Sequence, residues 1–369
     1  CPLFFIFQVS MQAYRFQSKN DAQFVQTLND RVEAFLKGQK IGRKANYNMV
    51  FKTILHFGIF IGIYLLILSD QIHNIAVIFL LWALLGVGQA LIGMTIMHDT
   101  VHGAYSGKKW VNVLLEIPII AIGVESAIWK IEHNFFHHNY TNIEGIDQDI
   151  HPRYLFRFSK HQPKKWFHSF QHVYAIFLYG LLTFEWMTVK DFMKVYKYYK
   201  EGVIPDKRKA WTLATIIMIK KLIFFSLYLI IPLLVLSFPW YLIVLMFCTK
   251  LFVSGIIMTL IFQTAHVVPN CDFIDPDSQK IEDSWHMHQL KTTANFAHGD
   301  KVVTYLLGGL NYQIEHHLYP DICHVHYPLL SEIVKRTAKE FAMPYYENKS
   351  LWTAISGHFT LLKMHGREE

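Results

Sequence analysis

IAVIFLLWALLGVGQALIGMTIMHDTVH, residues 75–102, decides the class of this chain. Its first 23 residues carry no charge, and about 20 apolar residues span a bilayer core. The run ends abruptly in His98-Asp-Thr-Val-His102, two imidazoles four residues apart at the edge of the apolar segment. On a helix that spacing puts both rings on one face. A membrane helix that delivers a histidine pair to its own end is therefore the first element.

Outward from it the same design recurs. Met49–Leu68 is a second apolar run, joined to the first by a short polar turn around Ser69-Asp70-Gln71. Leu222–Ser237, with Pro232 inside it, and Tyr241–Phe262 form another pair around Phe238-Pro239-Trp240. The reading is an all-α integral membrane protein: four transmembrane helices in two hairpins, with a cytosolic histidine-rich helical cap. Residues 111–128 are apolar but interrupted by Glu116, Pro118, Gly123 and Glu125, and are expected partly within the membrane. The stretch 150–221 is rich in Lys, Arg, Tyr and Trp, so 173–189 is expected as an interfacial helix. Residues 1–48 form an N-terminal cytosolic or interfacial segment, with a surface helix marked by Phe24, Leu28, Val32, Phe35 and Leu36. Residues 49–345 form the membrane domain and 346–369 a cytosolic tail. The opening CPLFFIFQVS has neither a basic region before it nor a cleavage site after it, and is not read as a signal peptide.

Composition agrees. The 369 residues are 52% hydrophobic. Lys+Arg is 35 against Asp+Glu 28, a net charge of +7. That excess fits a positive-inside arrangement better than nucleic-acid binding, and no nucleic acid is expected as a partner. The turns near 69–74 and 237–240 contain no Lys or Arg, whereas Arg43, Lys44, Lys52, Lys108, Lys109, Lys164, Lys165, Lys207, Arg208, Lys220 and Lys221 fall on the other side. Both termini and every histidine cluster are thereby placed in the cytoplasm. The four cysteines are scattered, with no C-x-x-C pair, which argues against a disulfide framework or a zinc–thiolate site.

Three more clusters share that face: His133-Asn-Phe-Phe-His137-His138, Gln263-Thr-Ala-His266 and Gln313-Ile-Glu-His316-His317. Imidazole is the commonest nitrogen ligand of transition metals, so eight rings at this spacing point to a polynuclear metal centre beside lipid-derived substrate. His286, His288, His324 and His326 lie near the clusters and are expected at the surface or the lipid interface. Lys250 falls in mid-span, where pairing within the bundle or snorkelling is expected.

H-D-x-x-H, H-x-x-x-H-H and Q-x-x-H-H together resemble the histidine boxes of the membrane fatty acid desaturases. Gly308-Gly-Leu-Asn-Tyr-Gln-Ile-Glu-His-His-Leu-Tyr-Pro320 is similar to their front-end branch, and the likeness runs over roughly 50–345. It includes Tyr140-Thr141-Asn142 and Gln263-Thr264-Ala265-His266. The resemblance implies two iron ions held by His98, His102, His133, His137, His138, His266, His316 and His317. Gln313 stands where relatives carry a further histidine ligand, as a weak ligand or the holder of a metal-bound water. Asp99, Asp147, Asp149 and Glu315 are expected to orient rings. It further implies an oxygen-dependent desaturase that places a cis double bond in an acyl chain linked to CoA, acyl carrier protein or phospholipid. The alternatives are a lipid or alkyl hydroxylase of the same di-iron superfamily and a non-catalytic metal-binding membrane protein. No His-Pro-Gly-Gly haem motif occurs, so electrons are expected from a separate ferredoxin or cytochrome b5 with its reductase. The expected location is a bacterial inner membrane, with the active site facing the cytoplasm.

Overall fold

A computed structural model describes residues 15–16, 21–149, 154–275, 280–281 and 283–368. The opening decapeptide lies outside the described residues. Helix α1 (Ala22–Gly38) buries Phe24, Leu28, Val32 and Leu36, the stripe that 3.6-residue periodicity selects. The expected surface helix is thus present, but its apolar face packs on the histidine-bearing cap, against Leu318, Leu330 and Val334.

Helix α2 (Tyr47–Leu68) starts where the Asn46 side chain accepts from the Met49 amide. Helix α3 (Ile75–Val101) starts the same way, with Asn74 accepting from Val77. Short α4 (Lys109–Glu116) and the helix α5 over 126–140 follow. Then come α6 (Trp166–Lys200), α7 (Lys207–Val235) and α8 (Trp240–His266). The cap is built from α9 (Trp285–Thr292), α10 (Lys301–Leu306), α11 (Gln313–Leu318), α12 (Tyr327–Glu340) and α13 (Leu351–Arg367). Two short parallel strand pairs accompany the helices: β1 (Arg15–Phe16) with β2 (Lys280–Ile281), and β3 (Ala294–Phe296) with β4 (Tyr346–Asn348).

Among the described residues five helices, not four, are long and apolar enough to cross a membrane: α2, α3, α6, α7 and α8. The protein is a multi-pass integral membrane protein. The fifth helix is α6; the sequence, rich in Lys, Arg, Tyr and Trp over 150–221, predicts only an interfacial helix over 173–189 there. Lys190 and Lys194 both pair with Glu132 at 2.8 Å, so charge does not end the helix. For the same reason α7 begins at Lys207 and not at 222. Lys220 reaches Glu125 at 2.7 Å, and Lys221 is paired with Asp191. The even count on which both termini shared one side is therefore replaced by five candidate spans.

Helices α6 and α8 cross at glycine. A Cβ on Gly255 would lie 2.7 Å from the carbonyl oxygens of Tyr179 and Gly180, so small residues set the approach. Lys250 is fully buried on α8, bonded to Gln89 Oε1 of α3, with its ammonium 3.9 Å from the Tyr228 ring centroid and 4.9 Å from that of Phe224. It pairs within the bundle.

Candidate metal centre

All three histidine boxes and His266 meet at one place, and the local backbone explains how. The last turns of α3 before His98 widen to a π-helix over Gly93–Met97. The second box lies in another, Lys130–His137. Wide turns of this kind are frequent at functional sites. Here the second one brings His133 over both His137 (ring centroids 5.2 Å) and His138 (4.8 Å). The third box is carried by α11, after Gly308 and Gly309 at φ +63° and +68°. A Cβ at Gly308 would lie 2.5 Å from the Met94 carbonyl oxygen. Glycine therefore lets the third box press against the π-turn that presents the first.

The rings fall into two groups. His98, His102, His133 and His316 place one donor atom each within 4.8 Å of one another, and so do His137, His266 and His317. His138 lies between them, with ring centroids 4.6 Å from His316 and 4.4 Å from His317. The Nε2 atoms of His98 and His133 are 3.2 Å apart, and those of His138 and His133 3.3 Å. The Nε2 atoms of His102, His316 and His317 are buried without a hydrogen-bond partner. Buried polar atoms without partners are rare and ask for an explanation. Converging nitrogen lone pairs around a shared point are what a cation requires, so the donor set fits metal.

Charge state agrees. Burial lowers the pKa of His102, His133, His138, His316 and His317 well below the usual imidazole value, and neighbouring rings add to the effect. Neutral rings are the ligand form. His137 differs: burial opposes its charge, but Asp147 outweighs it and the pKa is raised.

The outer nitrogens fix the rings. His133 Nδ1 donates to Asp149 Oδ2 at 2.6 Å and His137 Nδ1 to Asp147 Oδ2 at 2.9 Å. His266 Nδ1 donates to the Thr292 carbonyl at 3.2 Å, His317 Nδ1 to Gln289 Oε1 at 2.7 Å, and His316 Nδ1 shares a hydrogen bond with Tyr327 Oη at 3.1 Å. Such partners select the tautomer that turns Nε2 inward. Asp147 and Asp149 act as the sequence suggests. Asp99 and Glu315 do not: Asp99 Oδ2 accepts from Cys323 and His324, and Glu315 accepts from Asn295 and Tyr345. Gln313 is buried at the start of α11, one turn before His316.

Gln289, Tyr327 and Trp129 were missed by the sequence reading. Trp129 lies flat against His133, ring centroids 4.8 Å apart at 12°. Gln289 has no local signal at all, since α9 carries no recognisable box. The quoted Thr141 and Asn142 do more than follow the second box. Thr141 Oγ1 donates to Gln289 Oε1 at 3.0 Å, and Asn142 Nδ2 donates to the carbonyls of His266 and Asp272 at 3.0 Å each. His288, His324 and His326 are buried, not superficial.

Residues 74–349 match the family model described as fatty acid desaturase. The chain is 32% identical over 345 residues to the sn-1 linoleoyl-lipid 6-desaturase of Arthrospira platensis, covering 92% of each. It is 30% identical to the acyl-lipid (8-3)-desaturase of Physcomitrium patens, over 94% of this chain and 72% of that one. It is also 30% identical to the Delta(5) fatty acid desaturase A of Dictyostelium discoideum, over 96% and 77%. Histidines gathered at the ends of membrane helices, in a chain so alike over nearly its whole length, place this protein in the fatty acid desaturase family, as a fatty acyl desaturase.

Proposed function

We propose that the centre holds two iron ions, one within His98, His102, His133 and His316 and one within His137, His266 and His317, with His138 between the groups. The observation that carries this is the convergence of buried, unpartnered Nε2 atoms in two adjacent sets. Bound there, two irons supply the dioxygen activation needed to remove two hydrogens from an unactivated C–C pair. The protein's own part is to keep the rings neutral and fixed through Asp147, Asp149, Gln289 and Tyr327. Gln313, buried beside His316, holds a water at the centre in this reading.

The substrate we infer is an acyl chain carried on a glycerolipid, desaturated on the carboxyl side of an existing double bond. The names of the relatives support it: sn-1 linoleoyl-lipid 6-desaturase and acyl-lipid (8-3)-desaturase. Electrons come from a separate protein, ferredoxin or cytochrome b5, with its reductase. The histidine face is cytoplasmic, in a bacterial inner membrane. Residues 49–345 form the catalytic unit, flanked by the two terminal segments. The test is expression in a host fed defined fatty acids, with new double bonds located by mass spectrometry. New double bonds on the carboxyl side of an existing one, formed only with oxygen, support the proposal. Unaltered lipids in a host supplying oxygen and both donors overturn it.

A further inference from the structure

A cavity of about 800 Å³ runs along one face of α6 and reaches the back of the histidine centre. That volume is within the range of small-molecule sites. Its α6 wall changes character along the helix. Leu178, Leu181 and Leu182 line one end, and Lys190, Lys194 and Lys197 the other. Spacing by three and four keeps each set on one face. From 178 to 197 the wall is roughly 30 Å long at about 1.5 Å per residue. Facing the basic end are Asp147 and Asp149, whose outer carboxylate oxygens hold His137 and His133.

Two further observations point to a ligand. Gln263, one turn before His266, lines the cavity at 7% exposure, and its Oε1 has no hydrogen-bond partner. That oxygen calls for a donor. The polar end also carries both signs: Glu132, Asp147, Asp149 and Glu185 against three lysines. A polyanion such as a CoA thioester meets more carboxylates than ammonium groups there. Lys190 and Lys194 share Glu132 at 2.8 Å, which leaves Lys197, whose pair with Glu201 is long (3.8 Å) and exposed, as the ammonium open to a phosphate, while the acidic wall faces a ligand cation.

We propose that this cleft is a lateral docking site for a zwitterionic aminophospholipid. One acyl chain lies along the leucine end, the phosphate meets Lys197, and the ammonium donates to Gln263 and the acidic wall. The lipid enters from the bilayer, since Leu181, Met193 and Tyr196 are exposed at the cleft. Asp147 and Asp149 stand between the cleft and the metal-facing side of the rings. The docked lipid therefore waits beside the centre, and the site is one of capture. This rests on the acyl-lipid reading above for its purpose, but its geometry does not need metal.

The experiment uses the purified full chain in nanodiscs containing a phosphatidylethanolamine with a diazirine in its acyl chain. After illumination the label is mapped by peptide mass spectrometry. Labelling is expected to concentrate on 178–197 and to fall at least fivefold in Leu182→Trp, which fills the cleft. It should fall at least threefold in Lys197→Glu, whose surface position protects folding. Phe177→Trp, on the same helix but outside the cleft, should keep full labelling. A phosphatidylglycerol probe of equal chain length should label there at least fivefold less. Even labelling around the lipid-facing surface overturns the proposal, and so does labelling unchanged in both cleft variants. Labelling of the cleft with no desaturation of any lipid, given oxygen and reductant, leaves the cleft standing and removes the acyl-lipid reading instead.

Discussion

Gln289 Oε1 accepts a hydrogen bond from His317 Nδ1 at 2.7 Å and another from Thr141 Oγ1 at 3.0 Å. One amide oxygen thus ties the second and third histidine boxes together. Removing it in Gln289→Leu frees the His317 ring, and loss of such a partner costs about 10- to 100-fold in metal affinity. Gln289→Glu keeps an acceptor and should keep most of the metal. Iron per chain, measured by elemental analysis on both variants, checks this; equal, full occupancy in Gln289→Leu would refute it.

Gly308→Ala should damage the centre without touching a histidine. At φ +63° an alanine is strained, at about 1–3 kcal/mol, and its Cβ meets the Met94 carbonyl. The expected result is a lower unfolding temperature together with reduced iron content. A Gly308→Ala variant as stable and as metal-rich as the parent would show that α11 does not press on α3 as described.

Gln313→Ala separates two roles. If the amide positions a water, iron stays and turnover falls by one or two orders of magnitude, in keeping with a lost positioning group. If it is a ligand, iron falls as well. Metal content and product measured on one preparation decide between them.

Cys323 and Cys271 should resist alkylation in the folded protein. Burial raises both thiols well above the ordinary cysteine value, Cys323 further because Asp99 lies beside it. At pH 8 both therefore remain thiols, and only the thiolate reacts. Iodoacetamide labelling followed by peptide analysis should find them modified only after denaturation.

Lys250 gives a two-step test in the membrane interior. Gln89→Leu leaves the buried ammonium without its oxygen partner and should cost about 1–3 kcal/mol or more. Adding Lys250→Met should recover most of the loss, because an apolar pair of similar volume needs no partner. Thermal stability of the single and double variants in detergent reads this directly. A double variant no better than Gln89→Leu would mean the lysine is held mainly by the Tyr228 and Phe224 rings.

The sequence was legible where a property repeats locally. Apolar runs marked α2, α3 and α8, and the end of α7, because bilayer thickness sets a minimum length that charge-free stretches satisfy. Histidine spacing marked the ring-bearing segments. Reading failed where a distant partner changes what a residue costs. The Lys- and Arg-rich composition of 150–221 predicts an interfacial helix at α6, but Glu132 and Asp191 neutralise Lys190, Lys194 and Lys221 and let the helices run on. Gln289 and Tyr327 carry no periodicity and became visible only when α9 and α12 packed under α11. Asp99 and Glu315, adjacent in sequence to His98 and His316, turn away from the rings because helical neighbours point in different directions.

The π-turns have an evolutionary corollary. Each holds one residue more than an α-helical turn would, so everything downstream is rotated by about 100° relative to an unbroken helix. On α3, the lipid-facing surface over 75–92 and the ring-bearing end at 98–102 are consequently phased independently. Substitutions can drift across the membrane part, as bilayers of different thickness demand, without turning His98 or His102. A single-residue deletion within 93–97 is the change this turn can absorb: it restores an α-helical turn and leaves His98 and His102 facing the cage, whereas a deletion between His98 and His102 turns one ring away from the other.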